Sequence, residues 1–489
     1  MGESPLILGV SGLRGVVGES LTPEVAMRYA QAFGEWVIEQ NAPLARVVLA
    51  RDGRLGGQVF YHAAAAGLLS VGCGIHDIGV ATTPTVGVAI DGFGAHAGMQ
   101  ITASHNPQQW NGLKCLVSLA EGADVEACAP TANAASEIIA RFRARDGAIA
   151  PWRVFGERAY EDDQARAHWR KVQHTIIDGD LGLGATRGQF HICVDSVNCG
   201  GSGIAEELAE EWGCRLTQLA GLSHGIFPHT PEPTAENLSG EGGLCDAVPG
   251  LKADVGFAQD PDGDRLAIVD ERGVYIGEEY TLAIAAEALL GAMGAGAKGA
   301  VLVTNLSTSR MVEDVAAAYG ARVERTAVGE ANVVERMKAL KAAGENCVLG
   351  GEGNGGVIWP EVTYVRDSLG AMALTLGVMA REGKTVSQLV EKINGYARGG
   401  GYAIVKRKQA LATKADAGPA VKRIAERYAG ERVDTQDGVR VDFDSGERAG
   451  SWVHVRASNT EPILRLIGEA ADEVAAGKLL DEVAGIVNG

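Results

Sequence analysis

The chain has 489 residues, of which 46% are hydrophobic and 22% are charged, and these values predict three or four folded domains. A single small binding module and a wholly disordered chain are therefore excluded. The formal net charge of −18 repels nucleic-acid phosphates and anionic lipid surfaces, so we expect no nucleic-acid partner and no membrane partner. The 67 glycines and the 5% aromatic content favour an α/β protein with many tight strand–helix connections.

The eight cysteines are dispersed, with no C-x-x-C pair and no Cys/His cluster at zinc-ligand spacing. We expect them to be reduced thiols that mainly fill space in the core. The N-terminus lacks the basic and apolar regions of a signal peptide, and no stretch reaches the roughly 18 uncharged apolar residues that span a bilayer. These features predict a cytoplasmic protein.

Short apolar runs alternate with Ala-rich helical patterns from residue 5 to about 145. The pattern predicts a helix over 24–40 and strands over 46–50 and 97–103. The charged, Ala-rich stretch 119–165 has helical spacing. A domain boundary is expected near 150–185, because a second β/α segment opens after it.

The second segment opens with a strand over 190–196 and continues to a strand over 255–259. A third unit follows, with a long Ala-rich helix after residue 280 and strands over 300–306, 321–329 and 346–351. The last ninety residues alternate differently and predict a smaller α+β domain. Its expected strands are 401–409, 438–443 and 451–458, and its expected helices are 416–429 and 472–487.

An acidic loop, DPDGDR at 260–265, separates two strand-like runs. Asp260, Asp262 and Asp264 can point toward one centre and offer the hard oxygen ligands that magnesium or calcium prefers. A calcium EF-hand is rejected, although Glu271 falls at loop position twelve, because Arg265 stands where that loop needs glycine and because strands flank the loop. A solvated acidic turn is the alternative interpretation.

The segment TASHNP at 102–107 follows a strand and precedes NGLK at 111–114. A serine beside a histidine, Ser104 and His105, with Lys114 ten residues later, has the components of an activated oxygen nucleophile. A turn capped by the hydroxyl and amide groups explains this segment equally well. The sequence has no G-x-S-x-G elbow, which argues against a serine hydrolase.

The glycine-rich loop GGEGNGG at 350–356 contains a literal G-x-G-x-x-G pattern. The text after it is strand-like and interrupted by proline, where a dinucleotide site needs a helix, so that interpretation is rejected. We expect instead a loop that brings Glu352 and Asn354 to a ligand rich in hydroxyl groups. A glycine-rich turn with a surface glutamate is the simpler alternative.

Two further segments carry arginines in loops. RASNTEP at 456–462 combines Arg456 with hydroxyl, amide and backbone N–H donors, which suits a phosphate cradle or a helix cap. Near the start, Arg14 lies between glycines in SGLRG, where a ligand could approach closely.

These five motifs, in their order along the chain, resemble those of the α-D-phosphohexomutase family, which includes phosphoglucomutases, phosphomannomutases and phosphoglucosamine mutases. The resemblance covers nearly the whole chain. Within the family, the chain is most similar to the archaeal type of phosphoglucosamine mutase. It implies three related mixed-sheet α/β domains and a smaller C-terminal α+β domain around a central cleft. The implied domains are a phosphoserine domain over 1–150, a metal-binding domain over 151–270, a sugar-binding domain over 271–395 and a phosphate-binding domain over 396–489.

The resemblance also implies a reaction. A hexose or hexosamine 1-phosphate and its 6-phosphate interconvert through a phosphoserine at Ser104 and a bisphosphorylated sugar, with one Mg²⁺ per chain held by Ser104 and the three aspartates. Arg14 and Arg265 would add positive charge near the serine, and His105 and Lys114 would be the candidates for proton transfer. The implied substrate-binding residues are Glu352, Asn354, Arg456, Ser458, Asn459 and Thr460.

Three positions depart from the common family pattern. Many relatives have serine and histidine where this chain has Asn354 and Gly356, and lysine where it has Ala327. The departures bear on which sugar is used, so phosphoglucosamine mutase is the main expectation and phosphomannomutase or phosphoglucomutase the alternative. A metal-dependent sugar phosphatase and an inactive sugar-phosphate binding protein are further alternatives. The expected partner is the hexose phosphate, with a hexose 1,6-bisphosphate as activator, and the chain is expected to be a monomer or homodimer.

Overall fold

The computed structural model describes residues 5–41, 45–118, 126–144, 149–178, 190–458 and 461–488. The chain forms two compact units. The first unit consists of Met1–Thr281 and Gly355–Ser387, and the second of Leu282–Asn354 and Gln388–Gly489. The chain therefore passes from one unit to the other three times.

The first unit contains an eight-stranded mixed sheet in which the strand order is β1-β2-β6-β5-β3-β4-β8, with β7 paired to β6. Strands β5, β3, β4 and β8 run parallel, and β1, β2, β6 and β5 pair antiparallel. The strands are β1 (Ile7–Gly9), β2 (Gly12–Val16), β3 (Arg46–Arg51), β4 (Gly74–Val80), β5 (Ala97–Ile101), β6 (Trp110–Ser118), β7 (Ala127–Cys128) and β8 (Arg158–Tyr160).

Five helices accompany this sheet: α1 (Pro23–Asn41), α2 (Gly57–Ser70), α3 (Thr83–Phe93), α4 (Ala132–Ala144) and α5 (Gln164–Asp178). Helix α1 buries Ala26, Tyr29, Ala30, Phe33 and Val37, whose spacing of three and four places them on one face. That helix packs against α2 and α4. Helix α3 begins at a Thr82 cap whose side chain accepts a hydrogen bond from the Thr85 amide.

A second sheet of the first unit has the order β10-β9-β11-β12. Its first three strands are parallel and β12 is antiparallel to β11, so a short loop joins the carboxyl end of β11 to β12. The elements are β9 (His191–Asp195), α6 (Gly201–Trp212), β10 (Arg215–Ala220), α7 (Ala235–Leu238), α8 (Leu244–Leu251), β11 (Val255–Gln259) and β12 (Leu266–Val269).

The next part of the chain contains three parallel strands of the second unit, in the order β14-β13-β15. Its elements are α9 (Glu278–Met293), β13 (Val301–Asn305), α10 (Met311–Ala318), β14 (Arg322–Thr326), α11 (Glu330–Ala342) and β15 (Cys347–Glu352). Three elements follow: β16 (Gly356–Ile358), α12 (Ser368–Glu382) and α13 (Val386–Asn394). Helix α12 belongs, like β16, to the first unit, where it packs against α5 and α6, and every residue from Ser368 to Met379 is buried.

The C-terminal part of the second unit is a five-stranded antiparallel sheet in the order β17-β21-β20-β19-β18 with two helices. The elements are β17 (Ala403–Ala410), α14 (Ala417–Arg427), β18 (Arg432–Asp434), β19 (Val439–Asp442), β20 (Trp452–Ala457), β21 (Ile463–Ala470) and α15 (Glu473–Asn488). Leu464, Leu466, Leu480 and Val483 belong to its hydrophobic core.

The predicted α/β class, with mixed sheets and a final α+β part, is confirmed. The helical prediction for 119–165 was wrong in part, because two strands lie inside that stretch: β7, and β8, which lies between α4 and the start of α5 and pairs in parallel with β4. A strand of three residues is too short to show a period of two, so the helical spacing on either side dominated the pattern. Residues 119–125 and 145–148 of this stretch lie outside the described residues.

All eight cysteines are free thiols, as the sequence predicted, and five of them are buried. Burial raises the pKa of Cys73 and Cys115 to about 12, and that of Cys193, Cys214 and Cys347 to about 11. One helical stretch, Glu278–Ala297, has the length and composition of a membrane span, with a mean hydropathy of 1.3. Since 61% of that window is buried inside the protein, it has the character of a core helix.

Candidate active site

The acidic loop lies between β11 and β12, as predicted, and its backbone holds the three carboxylates close together. Gly263 takes a φ of 63°, and its amide donates to the Asp260 carbonyl at 2.9 Å. The Asp260 Oδ1 atom accepts from the backbone amides of Asp264 and Arg265, each at 3.1 Å. All three aspartates are fully buried, and one oxygen from each lies within 4.8 Å of the others.

This carboxylate cluster fits a hard divalent cation. The Oδ1 atoms of Asp262 and Asp264 are buried and accept no hydrogen bond from the described part of the chain. A buried carboxylate oxygen without a donor is costly unless a cation satisfies it. The donor set of the cluster is therefore suited to a metal ion.

Ser104 lies beside the acidic loop, although the two are far apart in sequence. Its hydroxyl donates to Asp260 Oδ2 at 2.9 Å. The residue follows β5 with a φ of 50°, a left-handed conformation that is uncommon for residues other than glycine. Its amide donates to Thr102 Oγ1 at 2.8 Å, which fixes the turn. The hydroxyl is thus held against the carboxylate cluster by its own backbone conformation.

Arg54, which the sequence analysis did not identify, holds the serine loop in place. It is buried and pairs with Asp52 at 2.9 Å. Its remaining nitrogens donate to the carbonyls of Ser104 at 2.5 Å and Trp110 at 2.8 Å. One guanidinium therefore spans the loop from the serine to the start of β6. The sequence signal was weak, since RDGR at 51–54 has the composition of an ordinary turn.

Three cationic side chains contact the acidic cluster. The Lys114 Nζ atom lies 3.1 Å from Asp262 and 2.5 Å from Asp264, and Arg366 Nη2 lies 2.6 Å from Asp264. The Arg265 Nε atom is 3.9 Å from Asp264 Oδ1 and is buried with no hydrogen-bond partner in the described ranges. Arg366 was missed by the sequence analysis, because it lies a hundred residues away in a segment with no pattern of its own.

The surroundings separate the pKa values of the aspartates. Burial raises the pKa of Asp260 well above its ordinary value, and the charges of Asp264 and Asp262 raise it further. Burial also opposes ionisation of Asp264, but Arg366 and Lys114 outweigh it and hold the pKa of Asp264 well below its ordinary value. For Asp262, Lys114 and Thr83 outweigh burial and the charge of Asp264, so its pKa is lowered.

His105 and Arg14 lie on the other side of the serine loop. The His105 Nδ1 atom is 3.2 Å from Ser104 Oγ. Burial, together with the charges of Arg265 and Arg14, lowers the pKa of His105 to about 3, so the imidazole is neutral at neutral pH. Arg14 donates to Asn106 Oδ1 at 3.1 Å, and burial lowers the pKa of its guanidinium.

Thr83, at the first turn of α3, is another residue that the sequence analysis missed. Its amide donates to the Asp262 carbonyl at 2.8 Å, and its hydroxyl donates to Asp262 Oδ2 at 2.6 Å. The start of a helix is thereby joined to the acidic loop. The dipeptide Thr-Pro is a helix-start signal, but only the fold brings it to Asp262.

Glu271, which a calcium loop would use as a ligand, lies away from the cluster. It accepts a hydrogen bond from Ser387 Oγ at 2.5 Å, and this contact helps to lower the pKa of the carboxyl against the effect of burial. The rejection of an EF-hand agrees with this position and with the strands on both sides of the loop.

The predicted sugar-binding residues belong to the second unit. Glu352 ends β15, is 5% exposed, and accepts from Asn305 Nδ2 at 2.8 Å. The neighbouring Gly353 amide donates to Thr308 Oγ1 at 3.0 Å. Asn354 lies 3.5 Å from the second Glu352 oxygen through its side-chain amide. The glycine-rich loop is thus hydrogen-bonded to the end of β13 and the loop that follows it.

The RASNTEP loop joins β20 to β21, so the alternative of a helix cap was wrong. The Arg456 Nε atom is buried, lacks a hydrogen bond among the described residues, and lies 3.5 Å from Asp437 Oδ2. Ser458 donates its amide to the Ile463 carbonyl at 3.0 Å, and its hydroxyl accepts from the Glu461 amide at 3.3 Å. Asn459 and Thr460 lie outside the described residues.

Asp437 also accepts a hydrogen bond from the Val328 amide at 3.1 Å, next to Ala327. The loop that carries one of the three sequence departures therefore meets the same carboxylate as Arg456. Gly356, another departure, is the first residue of β16.

Comparison with known proteins gives a consistent family assignment. Four models described as phosphoglucomutase/phosphomannomutase domains match the chain: α/β/α domain I at 5–138, domain II at 181–273, domain III at 278–396 and the C-terminal domain at 403–486. The predicted four-domain architecture is therefore confirmed. The predicted boundaries stay predictions.

Individual relatives agree with this assignment. The chain is 34% identical to a phosphoglucomutase/phosphomannomutase of Thermococcus kodakarensis, over 97% of both chains. It is also 34% identical to a probable phosphoglucosamine mutase of Methanopyrus kandleri, over 98% of this chain and 97% of that protein. Among solved structures, a phosphoglucomutase/phosphomannomutase family protein from Burkholderia thailandensis matches 98% of both chains with a TM-score of 0.77 and 25% identity.

Proposed function

Since the chain belongs to the phosphoglucomutase/phosphomannomutase family, we propose that it interconverts hexose or hexosamine 1-phosphates and 6-phosphates. The proposed carrier is a phosphoserine at Ser104, and the proposed intermediate is a bisphosphorylated sugar. The single observation that carries the proposal is the 2.9 Å contact between the Ser104 hydroxyl and Asp260, inside a buried cluster of carboxylates and cations.

Asp260, Asp262 and Asp264 are the residues that would hold a magnesium ion, with the Ser104 phosphate as a further ligand. When bound, the ion would supply positive charge that stabilises the phosphoryl oxygens during transfer. The two Oδ1 atoms that lack hydrogen bonds support this assignment.

The proposed chemistry at the serine needs a proton acceptor and positive charge. A sugar hydroxyl attacks the phosphorus of phosphoserine and loses its proton, while the bond to Ser104 Oγ breaks and that oxygen gains a proton. His105 is the favoured residue for proton exchange at Ser104 Oγ, because its Nδ1 atom lies 3.2 Å from that oxygen. Lys114 has two aspartate partners that hold its proton, so its proposed contribution is charge. Arg14 and Arg265 would stabilise the transferring group.

The second unit supplies the proposed substrate contacts. Glu352 can accept hydrogen bonds from adjacent sugar hydroxyls, with Asn354 beside it. The phosphate that does not react would bind the RASNTEP loop, where Arg456 has a buried nitrogen without a hydrogen bond among the described residues. The proposed set is completed by Ser458, Asn459 and Thr460.

Glucosamine phosphate is the favoured substrate, because the relative from Methanopyrus kandleri is named a probable phosphoglucosamine mutase. The relative from Thermococcus kodakarensis, named phosphoglucomutase/phosphomannomutase, keeps mannose and glucose phosphates as the alternative. Comparison of kcat/KM for glucosamine 6-phosphate, mannose 1-phosphate and glucose 1-phosphate decides between them. Higher kcat/KM for either of the last two would overturn the glucosamine assignment.

Other features of the proposal concern the whole chain. We propose the domain division 1–150, 151–270, 271–395 and 396–489, a cytoplasmic location, and a monomer or homodimer. The free thiols support the location, because disulfides are rare in the cytosol. A hexose 1,6-bisphosphate activator would be needed to phosphorylate Ser104 in protein that is purified with this serine unphosphorylated.

The decisive experiment replaces the proposed carrier. Ser104→Ala should abolish the phosphorylated protein mass and nearly all turnover, whereas Ser239→Ala, at an exposed serine outside the site, should change neither. Intact-mass spectrometry and a coupled isomerase assay measure both. Normal turnover by Ser104→Ala would reject the carrier role, and release of inorganic phosphate without isomer would favour a phosphatase instead.

A further inference from the structure

A cavity of about 480 Å³ lies in the second unit, between the start of α10, β14 and the loops that flank β18 and β19. None of the residues assigned to the proposed reaction lines it. Its charged lining residues are four arginines and two carboxylates, namely Arg310, Arg322, Arg398, Arg432, Glu313 and Asp444.

Arg310 is the buried part of this lining. It is 5% exposed, and a single guanidinium nitrogen, Nη2, donates to Asp444 Oδ1 at 3.0 Å. The Nε and Nη1 atoms are buried and have no hydrogen-bond partner among the described residues. These two nitrogens carry three of the five guanidinium N–H groups, so most of the hydrogen-bonding capacity of a buried cation is unused.

The other arginines form a solvent-accessible rim. The side chains of Arg322, Arg398 and Arg432 are 45%, 57% and 50% exposed. Each also pairs with carboxylates: Arg322 with Glu324 and Glu345, Arg398 with Asp314, and Arg432 with Asp442 and Asp444. Even two carboxylates that each bind two N–H groups leave one of the five donors of a guanidinium, so the rim can still offer N–H groups to an anion.

The two acidic lining residues are already engaged. Glu313 accepts from Arg325 at 3.0 Å, and the Arg325 charge, against the effect of burial, keeps the pKa of Glu313 below its ordinary value. Asp444 accepts from both Arg310 and Arg432, each at 3.0 Å. The donors that the lining leaves without an acceptor among the described residues are therefore the buried Nε and Nη1 atoms of Arg310.

We propose that this cavity binds a phosphate group, either as free inorganic phosphate or as part of a small phosphorylated metabolite. An oxyanion would supply the acceptors that Arg310 lacks, and guanidinium groups suit its geometry. The site goes beyond the proposed mutase function and does not depend on it. Arg310 directly follows the loop whose Thr308 hydroxyl binds the Gly353 amide, so an anion here would act on the loop that supports Glu352.

Titration calorimetry of the full chain with inorganic phosphate tests the site. The wild-type chain should bind one more phosphate than Arg310→Met. The control Arg336→Met removes the same charge from an exposed arginine outside the cavity and should keep the wild-type number. Equal stoichiometry for wild type and Arg310→Met would overturn the proposal.

A second pair of variants covers the case in which Arg310→Met does not fold. Arg398→Gln and Arg432→Gln alter exposed rim residues, and each should weaken the additional phosphate site roughly tenfold at unchanged stoichiometry. Unchanged affinity in both would count against the site.

Crystals soaked in tungstate locate the anion directly. An anomalous peak within hydrogen-bond distance of Arg310 Nε or Nη1 is expected, and the absence of a peak there would reject the assignment. Calorimetry with glycerol 3-phosphate separates the two sources. Binding about tenfold tighter than phosphate, lost in Arg310→Met, identifies a metabolite site, and equal binding identifies a site for free phosphate.

Discussion

The acidic site of the first unit and the polar loops of the second unit are built on different principles. Around Ser104, the three aspartates are fully buried, and short charged contacts fix each carboxylate. In the second unit, by contrast, the Arg456 side chain is 21% exposed and its Nε atom lies 3.5 Å from Asp437 Oδ2.

This difference fits the two tasks proposed for these regions. Groups that stabilise a reacting phosphoryl group gain most from burial and fixed geometry, because electrostatic interactions are stronger away from water. A group that binds a substrate phosphate and releases it must stay accessible, as Arg456 does, whereas Glu352 is 5% exposed and already accepts a hydrogen bond from Asn305. Variants in the first region should therefore change kcat, and variants in the second should change KM.

The largest effect is expected for Asp262→Ala. Loss of this carboxylate removes one proposed metal ligand and one partner of Lys114, and kcat/KM should fall roughly a hundredfold or more. Activity should also lose its dependence on magnesium. The exposed control Asp246→Ala should behave as wild type. A magnesium titration that matches wild type would contradict the ligand assignment.

Glu352→Gln should change mainly KM. A hydrogen bond to a charged group contributes about 1.5–3 kcal/mol, so KM should rise roughly 10-fold to 100-fold while kcat changes less. Steady-state kinetics with the preferred hexose phosphate measures the two constants separately. Glu345→Gln, at an exposed glutamate of the same unit, is the matched control. A fall in kcat alone would erase the distinction between the two regions.

Arg54→Lys tests how much the position of the serine loop depends on the hydrogen bonds that Arg54 donates to it. Lysine keeps the charge beside Asp52 but cannot reach the Ser104 and Trp110 carbonyls with one planar group. We expect roughly a tenfold loss in kcat with little change in KM, because Ser104 is less firmly positioned. The melting temperature should be recorded in parallel, and an unchanged kcat would show that the backbone conformation alone fixes the serine.

The last prediction concerns the acid stability of the second unit and not its activity. His454 is buried with its ring between Ser307 Oγ, at 2.9 Å, and the Asp437 carbonyl, at 2.7 Å, and burial lowers its pKa to about 4. In the unfolded chain His454 has a pKa near 6.5, so below that pH the unfolded state binds more protons than the folded state. The free energy of unfolding is therefore highest above pH 6.5 and falls by up to about 3 kcal/mol as the pH drops toward 4.

His454→Gln should remove this pH dependence. Urea unfolding followed by the intrinsic fluorescence of the seven tryptophans, one of which is the buried Trp452, provides the measurement at pH 7.5, 5.5 and 4.5. The wild-type chain should lose stability between the first and last conditions by more than the variant does. Parallel curves for the two proteins would mean that other groups dominate the acid response.

Much of the fold could be predicted from local pattern. Strands such as β11 and β13, and helices α1 and α15, are long or regular enough that their periodicity determined the prediction. The strand β8 could not be predicted, because three residues carry no period and its stability comes from pairing with β4. The division of the chain into two units was also not visible, because it depends on contacts between distant segments.

For the candidate site, loops with several chemically unusual residues were found and single supporting residues were missed. Three aspartates in six positions, or a serine beside a histidine, stand out in a sequence. Arg54, Thr83 and Arg366 do not, because each is an ordinary residue in its own segment and acquires a role only through partners that lie between 50 and 179 residues away. A sequence pattern therefore identifies the reactive loops, and only the tertiary structure identifies the residues that hold those loops in position.

The buried thiols described above make the protein well suited to site-specific labelling. Burial raises the pKa of seven of the eight cysteines, which leaves little thiolate at neutral pH for maleimide reagents to attack. A cysteine introduced at an exposed position such as Ser239 or Lys414 would react much faster than the native ones. Pairs of fluorophores placed in this way, one in each unit, could follow motion during turnover without first removing any natural cysteine.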